Sequence, residues 1–227
     1  MADVKPMLKI GHRGAAGHAP ENTLCAIKTA ALLGADLAEV DVQRSQDGHL
    51  VLIHDKSVDR TTNGKGSVER MTLAELQRFD AGKGEQIPTL EDALRTATGR
   101  IGLMLEVKAQ GIGEQVFTTV GRSRFTGTTI YASFVTDDIL GIKHIEPQAK
   151  TMQLLARRLP NQPVPFVKAA RASHVGLRHN TVTRPLVDAF HRAAIQVFVY
   201  TVNDPSDIRT IRSFGVDGII SDFPDRL

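Results

Sequence analysis

The 227-residue chain has no tryptophan, two tyrosines and nine phenylalanines, so it lacks the aromatic platforms on which single-strand nucleic-acid binders stack bases. Its 28 Lys and Arg against 25 Asp and Glu leave a net +3, and no long run of like charge gathers them into a nucleic-acid footprint. A single cysteine, Cys25, excludes an intramolecular disulfide; between Leu24 and Ala26-Ile27 it reads as a small core hydrophobe on a buried helix face. No apolar run reaches the ~18 residues of a membrane-crossing helix. The opening residues, Met1 to Pro6, show no basic stretch leading into an apolar one. The expectation is therefore a cytoplasmic protein with no nucleic-acid partner and no stable membrane insertion. A P-loop is absent, which argues against nucleotide-driven phosphoryl transfer, and no G-x-G-x-x-G follows the first strand-like segment.

What is present is an even alternation. With 41% hydrophobic and 23% charged residues the chain can bury a good-sized core, and no Pro-rich or Ser/Gly-rich linker divides it. Strand-like segments fall at 8–10, 37–42, 101–107, 128–134, 150–155, 174–177, 196–202 and 218–221. Helix-like segments fall between them at 21–33, 90–97, 113–121, 136–144, 184–194 and 205–214, while 161–172 carries no firm helix signal. Strands alternating with helices pair in parallel through crossovers, and eight such units in one domain spanning 1–227 predict a compact (β/α)8 TIM barrel. Gly34-Ala35-Asp36 and Gly215-Val216-Asp217 mark two similar helix-to-strand junctions.

The exception lies after the second strand. Asp47-Gly48 joins two extended runs in a hairpin pattern, and parallel neighbours cannot be joined so tightly, so 50–53 is expected to descend beside the second strand and return His54 to the level of Asp41. Residues 56–88 then form an insertion too long for an ordinary βα loop, with a short helix entered at Thr72 and a capping box completed by Glu75. Insertions at a barrel mouth are a usual place for substrate selection.

On this scaffold His12 and Arg13 end the first strand, Glu39 and Asp41 the second, and Glu106 and Lys108 the third. Residues two apart share a strand face, so Glu39 with Asp41, and Glu106 with Lys108, face the barrel interior while Val40, Val42, Leu105 and Val107 face the helices. Three buried carboxylates need a counter-charge. A divalent cation suits this all-oxygen set, Mg²⁺ or Ca²⁺ rather than Zn²⁺; a salt-bridge network with Lys108 and Arg13 is the competing reading. His12 and His54, reaching one mouth from separate segments, can divide proton acceptance and donation. His18, His49, His144, His174, His179 and His191 have no visible partners and are read as structural. Arg13 supplies a planar fork for phosphate and Lys108 a point charge. Together these describe cleavage of a phosphate ester.

The ordered set of motifs resembles the glycerophosphodiester phosphodiesterase family along nearly the whole chain. The matching residues are His12-Arg13-Gly14, Pro20-Glu21-Asn22-Thr23, Gly34-Ala35-Asp36, Glu39 and Asp41, Asp47-Gly48, His54-Asp55, Asp59-Arg60-Thr61-Thr62, Ile87-Pro88-Thr89-Leu90, Glu106 and Lys108, Ser133-Phe134, Thr201-Val202-Asn203, and Gly215-Val216-Asp217-Gly218 through Asp222. The resemblance implies that Glu39, Asp41 and Glu106 hold the metal, that His12 and His54 are the acid/base pair, and that Arg13 and Lys108 contact phosphate. Glu21 matches a site-lining carboxylate, although its segment also looks like a helix entry with Asn22 or Thr23 as cap. Tyr200 stands where the family commonly has Trp, keeping an aromatic wall against substrate, and Ser221 stands where Thr is usual. The implied activity is metal-dependent hydrolysis of small-molecule glycerophosphodiesters, such as glycerophosphocholine or glycerophosphoethanolamine, to glycerol 3-phosphate and an alcohol. A lysophospholipase D-like hydrolase acting on lysolipids shares every residue named but needs an apolar trough, for which the insertion is the candidate source. A cyclising lyase and a non-catalytic phosphate-ester binding protein are weaker alternatives. The sequence says nothing of oligomeric state.

Overall fold

Period-two alternation along the strands separates two apolar layers. In strand β2 (Leu37–Arg44), Leu37 joins an inner cluster while Ala38, Val40 and Val42 join an outer one. In β4 (Gly102–Val107), Met104 is inner and Leu103, Leu105 and Val107 are outer. The inner cluster fills the space enclosed by the strands with Ile10, Leu37, Met104, Ile130, Met152, Phe198 and Ile220. Outer positions pack against helices. This two-sided burial is why the strands read as nearly continuous apolar runs.

The computed structural model describes residues 6–227. The reading of the first residues as leaderless therefore falls largely outside the described residues. The remaining barrel strands are β1 (Leu8–Gly11), β5 (Thr129–Ser133), β6 (Thr151–Leu154), β7 (His174–Arg178), β8 (Gln196–Tyr200) and β9 (Gly218–Ser221). All eight pair in parallel, and β1 closes the ring by pairing β9 on one side and β2 on the other. The fold is the expected (β/α)8 TIM barrel. Its helices are α1 (Leu24–Leu32), α3 (Leu90–Ala97), α4 (Gly113–Arg122), α5 (Thr136–Ile145), α6 (Pro163–Ala169), α7 (Arg184–Arg192) and α8 (Pro205–Ser213), with a single 3₁₀ turn after β9. Among the described residues no helix is long and apolar enough to cross a membrane.

Both Gly-x-Asp junctions serve one purpose. Gly34 and Gly215 take φ of +76° and +77°, a left-handed conformation that costs glycine little. The following carboxylates accept from strand amides, Asp36 from Lys9 at 2.8 Å and Asp217 from Val197 at 2.7 Å.

Three expectations need correction. Helix α6 occupies 163–169, where no helix was placed; only seven residues long and carrying Pro163 and Pro165, it shows too few turns for a periodic pattern. Helix α1 begins at Leu24, not residue 21, because Asn22 has φ +58° and Thr23 is the cap, its hydroxyl accepting from the Ala26 amide. Cys25 is half-exposed at the helix start, beside Glu85, not in the core.

The hairpin arm β3 (Leu50–Leu52) pairs antiparallel with β2, and the Ile53 amide donates to the Asp41 carbonyl at 3.0 Å. Its alternation couples two cores. Leu50 and Leu52 join the outer barrel layer, whereas Val51 and Ile53 face a separate cluster with Val58, Val68, Leu76 and Ile87 of the 56–88 segment. That segment includes α2 (Leu73–Leu76) with the expected Thr72/Glu75 capping box. The insertion thus has its own small core, bolted to the strand that delivers His54.

Phe198 is fully buried at the centre of the barrel. Phe198→Ala is expected to cost about 3–5 kcal/mol in urea unfolding, as truncations of buried aromatics do. A loss below about 1 kcal/mol would contradict a packed interior at that position.

Candidate active site

Strand register puts the carboxylates together. Asp41 on β2 lies directly opposite Glu106 on β4, and Glu39 is one same-face step back along β2. Adjacent strands run only about 4.8 Å apart, and one carboxylate oxygen from each of the three residues lies within 4.8 Å of the others. Glu39 and Asp41 are almost wholly buried. Burial and the charge of Asp41 push the Glu39 carboxyl up to about 8, and burial with the charge of Asp41 also raises that of Glu106.

Neighbouring backbone aims these groups. The Arg13 amide donates to Glu39 Oε2 at 2.8 Å. Asn22 Nδ2 donates to Asp41 Oδ2 at 2.8 Å, while the Asp41 amide donates back to Asn22 Oδ1 at 3.0 Å. Glu39 Oε1 and Asp41 Oδ1 are left buried with no hydrogen-bond partner among the described residues. Two orphaned carboxylate oxygens pointing into a three-acid cluster are what a hard divalent cation requires, so Glu39, Asp41 and Glu106 fit one. Lys108 and Arg13 offset part of the charge: Lys108 Nζ donates to Glu106 Oε1 at 2.7 Å and stands 3.7 Å from Asp41, and Arg13 Nε stands 3.5 Å from Asp41 Oδ2.

The turn after β1 makes the approach of Arg13 possible. Arg13 and Gly14 take φ of +50° and +85°, and a Cβ at Gly14 would come within 2.6 Å of Ala26, so only glycine fits where α1 crosses beneath.

Each histidine is oriented by a carboxylate. His12 Nδ1–H donates to Asp222 Oδ1 at 2.6 Å, and Asn203 holds Asp222 in turn through Nδ2 at 2.6 Å. Burial lowers the basicity of His12, but the Asp222 hydrogen bond and the charge of Glu39 outweigh it and raise the ring above its ordinary value. His54 Nδ1–H donates to Asp55 Oδ1 at 2.7 Å, and Gln43 ties the 54–55 backbone to β2. On its far side, His54 Nε2 accepts from Lys108 Nζ at 3.2 Å. An ammonium can only donate, so that ring nitrogen carries a lone pair.

Each sequence-predicted site residue is at this mouth. His12, Glu39, Glu106 and Tyr200 line one cavity over the inner core. Tyr200 donates its hydroxyl to the Leu155 carbonyl at 2.7 Å, which fixes its ring as a wall; burial pushes the phenol up to about 12. Ser221 keeps a hydroxyl bond to Asn203 at 3.0 Å. Glu21 lies at the rim, where both its oxygens accept from arginines, Arg13 at 2.6 Å and Arg60 at 2.8 Å. Asp222, Asp55, Asn22, Asn203 and Arg60 fall in the matching motifs, but sequence reasoning gave none of them a part at the site. Only Asp55 is next to its partner in the chain; the others meet theirs through the fold.

A trough of about 590 Å³ also opens at the mouth, lined by Phe134, Leu155, Leu159 and Phe166 and sharing Leu154 with the cavity. The segments after β5 and β6 build it, not the 56–88 insertion, which spends its apolar side chains on its own core.

The glycerophosphoryl diester phosphodiesterase family model matches residues 12–226. A glycerophosphodiester phosphodiesterase of Caldanaerobacter subterraneus subsp. tengcongensis is 35% identical over 235 residues, covering 97% of this chain and 96% of its own length. The crystal structure of a glycerophosphodiester phosphodiesterase from Agrobacterium tumefaciens superposes with a TM-score of 0.83 at 33% identity, covering 97% of this chain and 98% of its own. An Oleispira antarctica phosphodiesterase, in complex with the product sn-glycerol-3-phosphate, gives 0.90 at 28% identity, covering 97% and 94%.

With Glu39 near 8 when folded against an ordinary 4.5, the native chain holds a proton that the unfolded chain releases. That contribution to stability is present at pH 4 and lost as pH rises toward 8. A divalent cation replaces the proton, so the melting-temperature gain from added Mg²⁺ or Ca²⁺ is expected to grow between pH 5 and pH 8. An equal gain at both ends, or none, would return the three acids to a salt-bridge network.

Proposed function

The chain belongs to the glycerophosphoryl diester phosphodiesterase family, and on that premise we propose that it hydrolyses glycerophosphodiesters such as glycerophosphocholine and glycerophosphoethanolamine to glycerol 3-phosphate and the free alcohol. The observation that carries this reading is two oppositely prepared imidazoles beside one cluster of orphaned carboxylate oxygens. Glu39, Asp41 and Glu106 would hold Mg²⁺ or Ca²⁺. Bound there, such an ion supplies Lewis-acid polarisation of a phosphoryl oxygen and neutralises developing charge.

The protein's own residues then divide the proton transfers. His54 Nε2 carries the lone pair and is the base; it exchanges the Lys108 hydrogen bond for that of the glycerol C2 hydroxyl and takes its proton as that oxygen bonds to phosphorus. His12 is the acid; its Nε2 proton goes to the alcohol oxygen as the phosphorus–oxygen bond to that alcohol breaks, leaving a cyclic phosphate. In the second half, His12 takes a proton from water, the water oxygen bonds to phosphorus, the ring bond to O2 breaks, and His54 returns the first proton to O2. Both histidines end as they began. Arg13 and Lys108 orient the phosphate by charge and fork geometry. The alcohol is released without being chelated, which leaves its identity loosely specified.

His12→Ala and His54→Ala are each expected to lower kcat by about 10²–10⁴, read as glycerol 3-phosphate released from glycerophosphocholine. Their order is separable. A glycerophosphodiester with a p-nitrophenolate leaving group needs no acid in the first step, so release of p-nitrophenolate in the first turnover should be largely rescued in His12→Ala and not in His54→Ala. Rescue of both or neither would refute the division, and near-normal turnover in both variants would refute the acid/base pair.

One observation favours a second reading, turnover of monoacyl glycerophosphodiesters. Phe134 and Phe166 are 42% and 39% exposed along the trough that continues from the cavity, an apolar path suited to an acyl chain. Burying an aromatic side chain contributes about 1.5–3 kcal/mol. Phe166→Ser is therefore expected to reduce kcat/KM on monoacyl glycerophosphocholine by about tenfold or more and to leave glycerophosphocholine unchanged. No turnover of the monoacyl substrate by the unaltered chain would eliminate this reading.

A further inference from the structure

Arg60, in the 56–88 insertion, lines none of the cavity that His12 and Tyr200 share, yet its guanidinium grips two carboxylates at once. Nε donates to Asp55 Oδ2 at 2.7 Å and Nη2 to Asp55 Oδ1 at 3.3 Å. Nη1 and Nη2 donate to Glu21 Oε2 and Oε1, each at 2.8 Å. Asp55 in turn accepts from His54 Nδ1, and Glu21 Oε1 accepts from Arg13 Nη1. A continuous chain therefore runs from His54 through Asp55, Arg60 and Glu21 to Arg13.

Stability does not account for this arrangement. The Arg60 side chain is 47% exposed, and ion pairs of that kind contribute little to folding. Orientation does. Asp55 is itself about one-third exposed, on an irregular stretch directly after the hairpin arm, and its carboxylate would be free to rotate without the fork. The Arg60 hydrogen bond also holds the Asp55 carboxyl down at about 2, so it remains an acceptor for Nδ1–H at every working pH. Glu21, already held by Arg13, anchors the far side of the guanidinium.

Resting on the proposed hydrolysis, we infer that Arg60 is a positioning residue for His54, acting through Asp55, by which the insertion sets the base nitrogen of the reaction. The guanidinium fork is required because three of its nitrogens serve two carboxylates at once; lysine offers a point charge that can serve only one of them well. Arg13 keeps Glu21 and Asp41 when Arg60 is removed, so phosphate binding should change little.

The test is a double-mutant cycle on glycerophosphocholine with saturating divalent cation. Arg60→Ala is expected to lower kcat by about 10–100-fold, the usual effect of losing an outer orienting partner, with KM changed less than about threefold. Arg60→Lys should recover only a small part. In an Asp55→Ala background Arg60→Ala should add almost nothing. A rise in KM at unchanged kcat, or the same loss of kcat in the Asp55→Ala background, would overturn the inference. A second readout does not depend on turnover: in ¹⁵N-histidine spectra at pH 7, Arg60→Ala and Arg60→Lys should shift the His54 ring signals from a single Nδ1–H tautomer toward a mixture and leave those of His12 in place. Unmoved His54 signals would reject Arg60 even in a chain that hydrolyses no glycerophosphodiester. Should Arg60→Ala fail to fold, Arg60→Lys, with its charge and stem retained, gives the same comparison.

Discussion

Three carboxylates are held inside a barrel at a separation where they repel one another, and two of their oxygens have no hydrogen bond among the described residues. Desolvated like charges are tolerated only if something positive meets them. The surrounding polar architecture answers that demand. Arg13 and Lys108 stand against Asp41 and Glu106, and Arg60 stands one layer further out. Their charge does not complete the coordination, because an ammonium and a guanidinium reach only some of the available lone pairs. What remains is a hard, all-oxygen pocket beside two carboxylate-held imidazoles.

The division between the two histidines follows from their neighbours. Each donates Nδ1–H to a carboxylate, so the intrinsic chemistry is the same at both. The difference comes from the other side of each ring. His12 stands beside Glu39 in the acidic cluster, while His54 Nε2 accepts from the Lys108 ammonium. Two similar residues thereby stand in different electrostatic surroundings, which is the basis on which opposite roles are proposed for them.

The insertion and the barrel contribute unequally. The barrel strands set Glu39, Asp41 and Glu106 by register, and Lys108 follows directly after β4 with its amide donating to the Val42 carbonyl at 3.0 Å. His54 is delivered by a hairpin arm whose other face belongs to the insertion core, through Val51 and Ile53. His54, the proposed base, is therefore the group whose position depends on a second packed unit, to which Asp55 and Arg60 also tie it. Opposite them, Phe134 and Phe166 leave an apolar flank open at the mouth, on segments that owe nothing to the insertion.

Local chemistry made much of this legible. Alternation assigned Glu39, Asp41, Glu106 and Lys108 to the interior because side-chain direction in a strand has a period of two regardless of context. Asp47-Gly48 specified a hairpin, so His54 could be brought back to Asp41 before any fold was known, and Thr72 with Glu75 announced its helix through a capping box that is complete within four residues. Helix α6 was hidden because two prolines in seven residues give too short a pattern. Asn22 looked like a cap because its type suits one, yet a left-handed φ turns its amide onto Asp41, a residue 19 positions away. Asp222 meets His12 across 210 positions and Arg60 meets Glu21 across 39. Periodicity, turn chemistry and capping are short-range, so the sequence by itself determined the barrel, its acidic strand ends and its two histidines. Ring closure and the seating of the insertion bring distant segments into hydrogen-bond range, and for that reason only the tertiary structure decided which carboxylate serves which histidine, which arginine braces them, and where the apolar flank lies.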